Sequence, residues 1–301
     1  MRAGLGGVLR GLLYGAVVLG SFCARNGAAT EGRPTMLRFG LPASMFYEVS
    51  VKDAQVALDL WARQIVSGVA HPIQARGAVL DTMELVAAAT ARGELDVIGL
   101  SSLEYLRWRE RLPVDPVLTG SREREPTDEH WLMVRRDSGV TTLGALAGKR
   151  LLLPAGDLGI LSRTWLDAEL AKEHQRDSAR FFGEIRTASK LSQTLLPVFF
   201  RQADAAVITR GGYSSLQEMN PQLGRDLVAI AVSPKLLPTV VCFHRQMDES
   251  LRAVVTAGSL GLGDSAAGRQ ILLLFKVKQV LRFEPAHLDG VTGLFRHTGA
   301  L

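Results

Sequence analysis

The sequence predicts an α/β chain of two lobes, each a mostly parallel sheet flanked by helices, with two crossings between them. Three observations carry that expectation. Short apolar runs alternate with helical patterns along most of the 301 residues, and strands separated by helices build parallel sheets covered on both faces. A polar stretch, SREREPTDE at residues 121–129, divides the alternation into two units. The tail after the second unit holds too few strands for a third, so it is expected to return to the first.

The elements follow in order. Leu37–Leu41 reads as a strand. Ser50 with Asp53 three residues on forms a helix start, because a short polar side chain takes the first free amides. Ala54, Ala57, Leu58, Trp61 and Ile65 continue at helical spacing, and Gly68 stops the helix. Ile73–Val79 is a second strand. Asp81 and Glu84 open a helix that ends at Gly93; Asp96–Leu100 is a third strand, and Ser101 with Glu104 opens the next helix. Beyond the polar stretch, Trp131–Arg135, Arg150–Pro154, Ala205–Ile208, Leu227–Val232 and Thr239–Phe243 read as strands. Leu158–His174 and Ser189–Gln202 read as helices, and the tail from Asp248 is mainly helical.

The N-terminus has an address of its own. Arg2 and Arg10 precede an apolar run from Gly11 to Phe22, and small residues follow at Ala24, Gly27, Ala28 and Ala29. That is the pattern of a secretory signal over residues 1–29, too short to span a membrane comfortably. An uncleaved anchor is the bland alternative. A lipid anchor at Cys23 is disfavoured, because bulky Phe22 precedes the cysteine. Removing the signal lowers the net charge from +5 to +2, with 32 basic and 30 acidic residues remaining. No basic stripe of the kind a nucleic-acid binder carries is present. Cys242 would be the only remaining cysteine, so no internal disulfide is expected, and its place in an apolar run suits a small buried hydrophobe.

Catalytic templates fail in turn. There is no H-E-x-x-H, no C-x-x-C pair and no G-x-S-x-G elbow, and the six histidines show no ligand spacing. The run GLGDSA at 261–266 follows a helical pattern instead of a strand, which makes it a loop and no dinucleotide fingerprint. No cofactor is expected. Ligands of open α/β sheets bind beyond the carboxyl ends of the strands. Those ends carry hydroxyls, aromatics and one lysine, which suits binding more than catalysis. An internal echo accompanies the two-lobe reading: GELDVIGLSSLEYL at 93–106 and RQADAAVITRGGYSSL at 201–216 each place a tyrosine nine residues after an aspartate (Asp96 to Tyr105, Asp204 to Tyr213), with Ser101 and Thr209 at matching strand ends.

SGVTTLGALAGKRLLLP (138–154), the two echoing segments, AIAVSPKLLPTVVCFHRQMDESL (229–251) and AAGRQILLLFKVKQV (266–280) together resemble the type II periplasmic solute-binding proteins, closest to the phosphate/phosphite/phosphonate branch of ABC-transporter binding proteins. The resemblance covers roughly residues 36–295. It implies a periplasmic protein, expected to be a monomer, that captures a small-molecule ligand between lobes of residues 36–125 plus 229–295 and residues 126–228. Its partner would be an ABC permease in the inner membrane. Neither enzymatic activity nor nucleic-acid binding is implied.

The ligand-binding residues expected from strand ends and resemblance are Ser101, Tyr105, Asp157, Gly159, Ser189, Lys190 and Thr209. Tyr105 matches the tyrosine of the family. Ala155-Gly156-Asp157-Leu158-Gly159 stands where the family has a hydroxyl-rich turn that grips phosphonate oxygens, and Asp157 puts a negative charge there. Ser189-Lys190 and Thr209 also depart from the family pattern. Asp157 is expected either to cap a helix or to pair with Lys190 and leave the seat near neutral. Two rival outputs remain at this level: a ligand-sensing partner of a membrane receptor or kinase, and an enzyme on the same fold.

Overall fold

Many helices in this chain begin where a short polar side chain meets a free backbone amide. The computed structural model describes residues 35–45, 50–67, 73–275 and 277–298. The secretory-signal segment with Cys23, the aromatic pair Phe46–Tyr47 and Gly68 lie outside these residues. The first unit runs β1 (Thr35–Pro42), α1 (Val51–Ile65), β2 (Ile73–Leu80), α2 (Met83–Ala91), β3 (Val97–Ser101), α3 (Ser102–Trp108) and β4 (Val114–Ser121). The second runs β5 (His130–Arg135), β6 (Arg150–Pro154), α4 (Gly156–Lys172), α5 (Ser178–Phe181), β7 (Glu184–Ala188), α6 (Leu191–Phe199), β8 (Ala205–Thr209), α7 (Arg210–Met219), α8 (Gln222–Asp226) and β9 (Leu227–Val232). The tail adds β10 (Thr239–His244), α9 (Glu249–Leu260), α10 (Ala266–Leu274), β11 (Gln279–Arg282) and α11 (Asp289–Thr298). The GLGDSA run is a turn between α9 and α10.

Ser50 accepts from the Asp53 amide, and Ser101 forms a reciprocal box with Glu104. The start of α2 is shifted by one residue from expectation. Thr82, not Asp81, holds the extended cap conformation and accepts from the amide of Leu85.

Among the described residues, eleven strands form two mixed sheets, ordered β11-β4-β10-β3-β1-β2 and β7-β6-β8-β5-β9. Apart from edge strand β11, the orders coincide: second, first and third parallel strands, then one reversed strand, then the fourth. The reversed strands are β10 and β5, each the first strand after a crossing between lobes. In this superposition β3 and β8 occupy the same place, so the echoing segments are structural equivalents. Their aspartates do the same work. Asp96 accepts from the backbone amide of Arg38 at 2.8 Å and from its guanidinium at 2.9 Å, tying the start of β3 to β1. Asp204 accepts from the amide and guanidinium of Arg150, at 2.9 and 3.1 Å, tying β8 to β6. The Asp96 side chain is 15% exposed and that of Asp204 33%. Asp96→Ala is therefore expected to cost about 2–3 kcal/mol in urea unfolding and Asp204→Ala about 1 kcal/mol, because the better-buried pair leaves a costlier unpaired partner.

Three strands are not evident in the sequence. β4 contains Pro116, tolerated because the register with β10 shifts beside it. β7 and β11 are short edge strands without a continuous apolar run. Two placements also need correction. β9 pairs with β5 throughout, so residues 229–232 belong to the second sheet and the return crossing begins at Ser233. β9 fills the fourth place that β4 fills in the other sheet; without it β5 would be an open edge. The tail does not rest wholly on the first lobe either. β11 joins that sheet and α10 packs on α1, but α11 packs on α4 and α3, where Val291, Leu294 and Phe295 share a core with Trp165 and Leu166.

Candidate functional site

A reversed strand starts at the edge where its parallel neighbours end. His130 opens β5 opposite Thr209, the last residue of β8. Thr239 opens β10 opposite Ser101, the last residue of β3. The two crossings thus arrive at the edge where α/β sheets bind ligands. They are bonded to each other: Asp128 and Leu236 exchange both backbone bonds at 3.0 and 2.8 Å, and the His130 amide donates to Ser233 Oγ. Beside this hinge lies a cavity of about 180 Å³. Its polar wall includes Asp128, His130, Asp157, Thr209 and Thr239. Leu41, Trp61, Leu272 and Phe275 of the first lobe form much of its apolar wall.

Of the seven expected residues, the cavity brings Asp157 and Thr209 together; the other five are not on its wall. The Ser101 hydroxyl is committed to Glu104 in the α3 cap. Tyr105 is buried in the core, and burial raises its phenol pKa. The open side of Gly159 faces the carbonyl of Pro154 at the end of β6. Ser189 and Lys190 are exposed ahead of α6. Thr209 caps α7, accepting from the amide of Gly212 at 3.1 Å.

Asp157 is where the outcome differs most from expectation. It sits in the first turn of α4 but makes no capping bond, and no ion pair joins it to Lys190 among the described residues. The two lie at the starts of different helices, and Lys190 stays in solvent. Burial, reinforced by the charge of Glu104 on the opposite lobe, raises the Asp157 carboxyl to about 7. The seat is thus not neutralised in the way expected.

Three residues that shape this seat are not singled out as binding groups by sequence reasoning. Asp128 accepts from the amides of Glu129 (2.8 Å) and Gly211 (3.1 Å), and burial raises its pKa. His130 is 1% exposed, its Nδ1 lies 2.7 Å from Ser162 Oγ, and its Nε2 has no partner among the described residues. Burial lowers the His130 pKa to about 4, so the ring is neutral at physiological pH. Glu104 connects Ser44 and Ser101 of the first lobe. The available signal is topological: the polar stretch ends at the start of a reversed strand, and that start lies at the ligand edge.

Cys242 lies in β10 with no exposed surface, and burial pushes its thiol pKa up. A thiol reagent is expected to leave Cys242 unlabelled in the native chain and to label it fully in denaturant, as read by peptide mass mapping. Rapid native labelling would contradict this burial.

Comparison with known proteins gives the fold a family. No curated protein matches the sequence. Among solved structures, PhnD1 from Prochlorococcus marinus in complex with methylphosphonate is similar with a TM-score of 0.61 at 13% identity, covering 89% of this chain and 100% of that one. A protein from Xanthomonas citri bound to chloride gives 0.60 at 15% identity, covering 88% and 97%. A binding-protein component of an ABC phosphonate transporter from Pseudomonas aeruginosa gives 0.57 at 13% identity, covering 87% and 86%. These likenesses show the fold: two-lobed and type II. The family model for the phosphonate periplasmic substrate-binding proteins of ABC transporters matches residues 69–289, most of the chain, and the chain belongs to that family.

Proposed function

We propose that this chain is a periplasmic solute-binding protein that closes its two lobes on one small polar molecule and presents it to an ABC permease in the inner membrane. It acts as a monomer and carries out no chemistry on its ligand. The observation that carries this reading is the cavity beside two mutually bonded crossings, walled by strand ends of both lobes. Two crossing strands of this kind are a hinge, and hinge closure around a ligand is the working motion of such traps. Asp157, Thr209, Asp128, His130 and Thr239 are the proposed contacts. The expected lobes are retained with the return crossing moved to Ser233.

The test is small-angle scattering with thermal melting of the secreted chain, against methylphosphonate, phosphate, methanesulfonate, glucose, ethanolamine, choline and putrescine. A true ligand is expected to shrink the radius of gyration and to raise the melting temperature with concentration, since binding only the folded state stabilises it by mass action. Chemical conversion of a ligand, seen by mass spectrometry, would overturn the solute-trap reading.

A further inference from the structure

Two helices begin at the candidate seat, and each already holds a carboxylate at its first turn. At α7, Asp128 accepts from the Gly211 amide while Thr209 takes that of Gly212. At α4, Asp157 occupies the first turn itself. Helix N-termini hold anions by free amides and the positive end of the dipole. Here the chain's own carboxylates sit in that field, and a bound phosphonate would have to displace or face them.

The cations do not restore the balance. Among the described residues, Arg122 is the only Arg or Lys on the cavity wall, against Glu123, Glu125, Asp128 and Asp157. Glu125 is paired with Lys235 and Glu123 with Lys278. Asp128 and Asp157 have no cationic partner among the described residues.

A second observation, independent of the acids, comes from His130. The Ser162 hydroxyl donates to the carbonyl of Leu158 at 2.7 Å, the usual bond of a serine inside a helix. With that proton so placed, the oxygen accepts from His130 Nδ1, and in the tautomer matching this network Nε2 is an acceptor. That nitrogen belongs to a buried residue on the cavity wall and has no partner among the described residues. It asks for a donor, as the carboxylates do. A buried acceptor left unpaired is costly, so a ligand with N–H groups recovers what the empty seat lacks.

Resting on the solute-trap reading above, we propose that the ligand of this cleft is a small organic cation carrying a protonated amine, held by Asp157, Asp128 and His130 Nε2, and that anionic phosphonates are excluded. The apolar wall of Leu41, Leu272 and Phe275 takes the carbon part of such a molecule, and the Trp61 indole N–H, a donor without a partner among the described residues, suits a hydroxyl on it. Among the described residues no three His, Cys, Asp or Glu side chains converge as a metal site requires.

Calorimetry at pH 8 on the secreted chain compares ethanolamine and putrescine with methylphosphonate and phosphate, and with choline as a cation that has no N–H and should bind more weakly, in the wild type and in Asp157→Asn, Asp128→Asn and His130→Phe. An amine is expected to bind the wild type, to weaken at least about tenfold in either Asp→Asn variant, and methylphosphonate is expected to bind only when Asp157 is neutralised. Because His130→Phe could disturb β5, circular dichroism on each variant accompanies the titration, and the two Asp→Asn variants carry the test alone if that fold is lost. Tight methylphosphonate or glucose binding by the wild type overturns the cation proposal and leaves the solute trap standing. No response to any compound in either calorimetry or scattering overturns both.

Discussion

Asp157→Asn is expected to stabilise the protein, and to do so only above acid pH. The native carboxyl is held at about 7 by burial and by Glu104, against about 3.9 for an aspartate in the unfolded chain. The folded state therefore keeps a proton that the unfolded state has released. Stability contributed by the neutral form is complete below about pH 4 and is lost as pH rises to about 7. Three units at 1.36 kcal/mol each set a ceiling of about 4 kcal/mol, and the partial exposure of the side chain brings the expectation to about 2–4 kcal/mol. Asparagine has no charge to bury. Urea unfolding at pH 4 should find the two proteins alike, and at pH 8 the variant should be more stable by that amount. Equal stability at pH 8 would show that the Asp157 charge is well accommodated in the empty cleft. Binding carries the same carboxyl with a sign of its own. If a cation is bound by ionised Asp157, affinity rises with pH through about 7, whereas an anion in the same seat would bind more weakly over that range.

The fold is legible because its logic is repeated. Two rounds of strand and helix, each punctuated by an aspartate before the third strand and a hydroxyl after it, can be read directly from the residue order of 93–106 and 201–216. The Arg38–Asp96 and Arg150–Asp204 bonds give that echo its physical reason. The less legible strands are those whose burial is slight or interrupted, β7 and β11 at sheet edges and β4 with its proline.

The site is legible only where the strand-end rule applies directly. Asp157 and Thr209 stand just past β6 and at the end of β8, and both reach the cavity wall. Ser101 and Tyr105 satisfy the same rule yet are consumed by a cap and by the core, which spacing cannot reveal. Asp128 and His130 are hidden in the opposite way. They lie in and beside a stretch that reads as a polar linker, and only the pairing of β5 against β8 carries them to the ligand edge. A sequence states where a strand ends but not which reversed strand begins beside it.

Gly159→Ala is expected to be among the most damaging single methyl groups that could be added. A Cβ at that position would lie 1.9 Å from the Pro154 carbonyl oxygen and 3.0 Å from its carbonyl carbon. Both are backbone atoms of the last residue of β6, which parallel pairing to β7 holds in place. No rotamer change relieves the clash, so α4 must move off the strand. That helix carries Asp157 into the cavity and Ser162 onto His130, and Trp165 and Leu166 into the core, so one displacement disturbs seat and packing together. Overpacking against rigid atoms costs about 3 kcal/mol or more. Two other glycines frame the result. Gly211→Ala would meet the side-chain oxygens of Glu123 at 3.1 Å and Asp128 at 3.2 Å, tips that can turn aside, so it is expected to alter ligand affinity more than stability. Gly263→Ala meets nothing within 4 Å and is expected to stay within about 0.5 kcal/mol of the parent. Thermal melting of the three variants ranks them. If Gly159→Ala melts with the parent, α4 is free to slide on β6, and the rigid placement of Asp157 at the cleft fails with it.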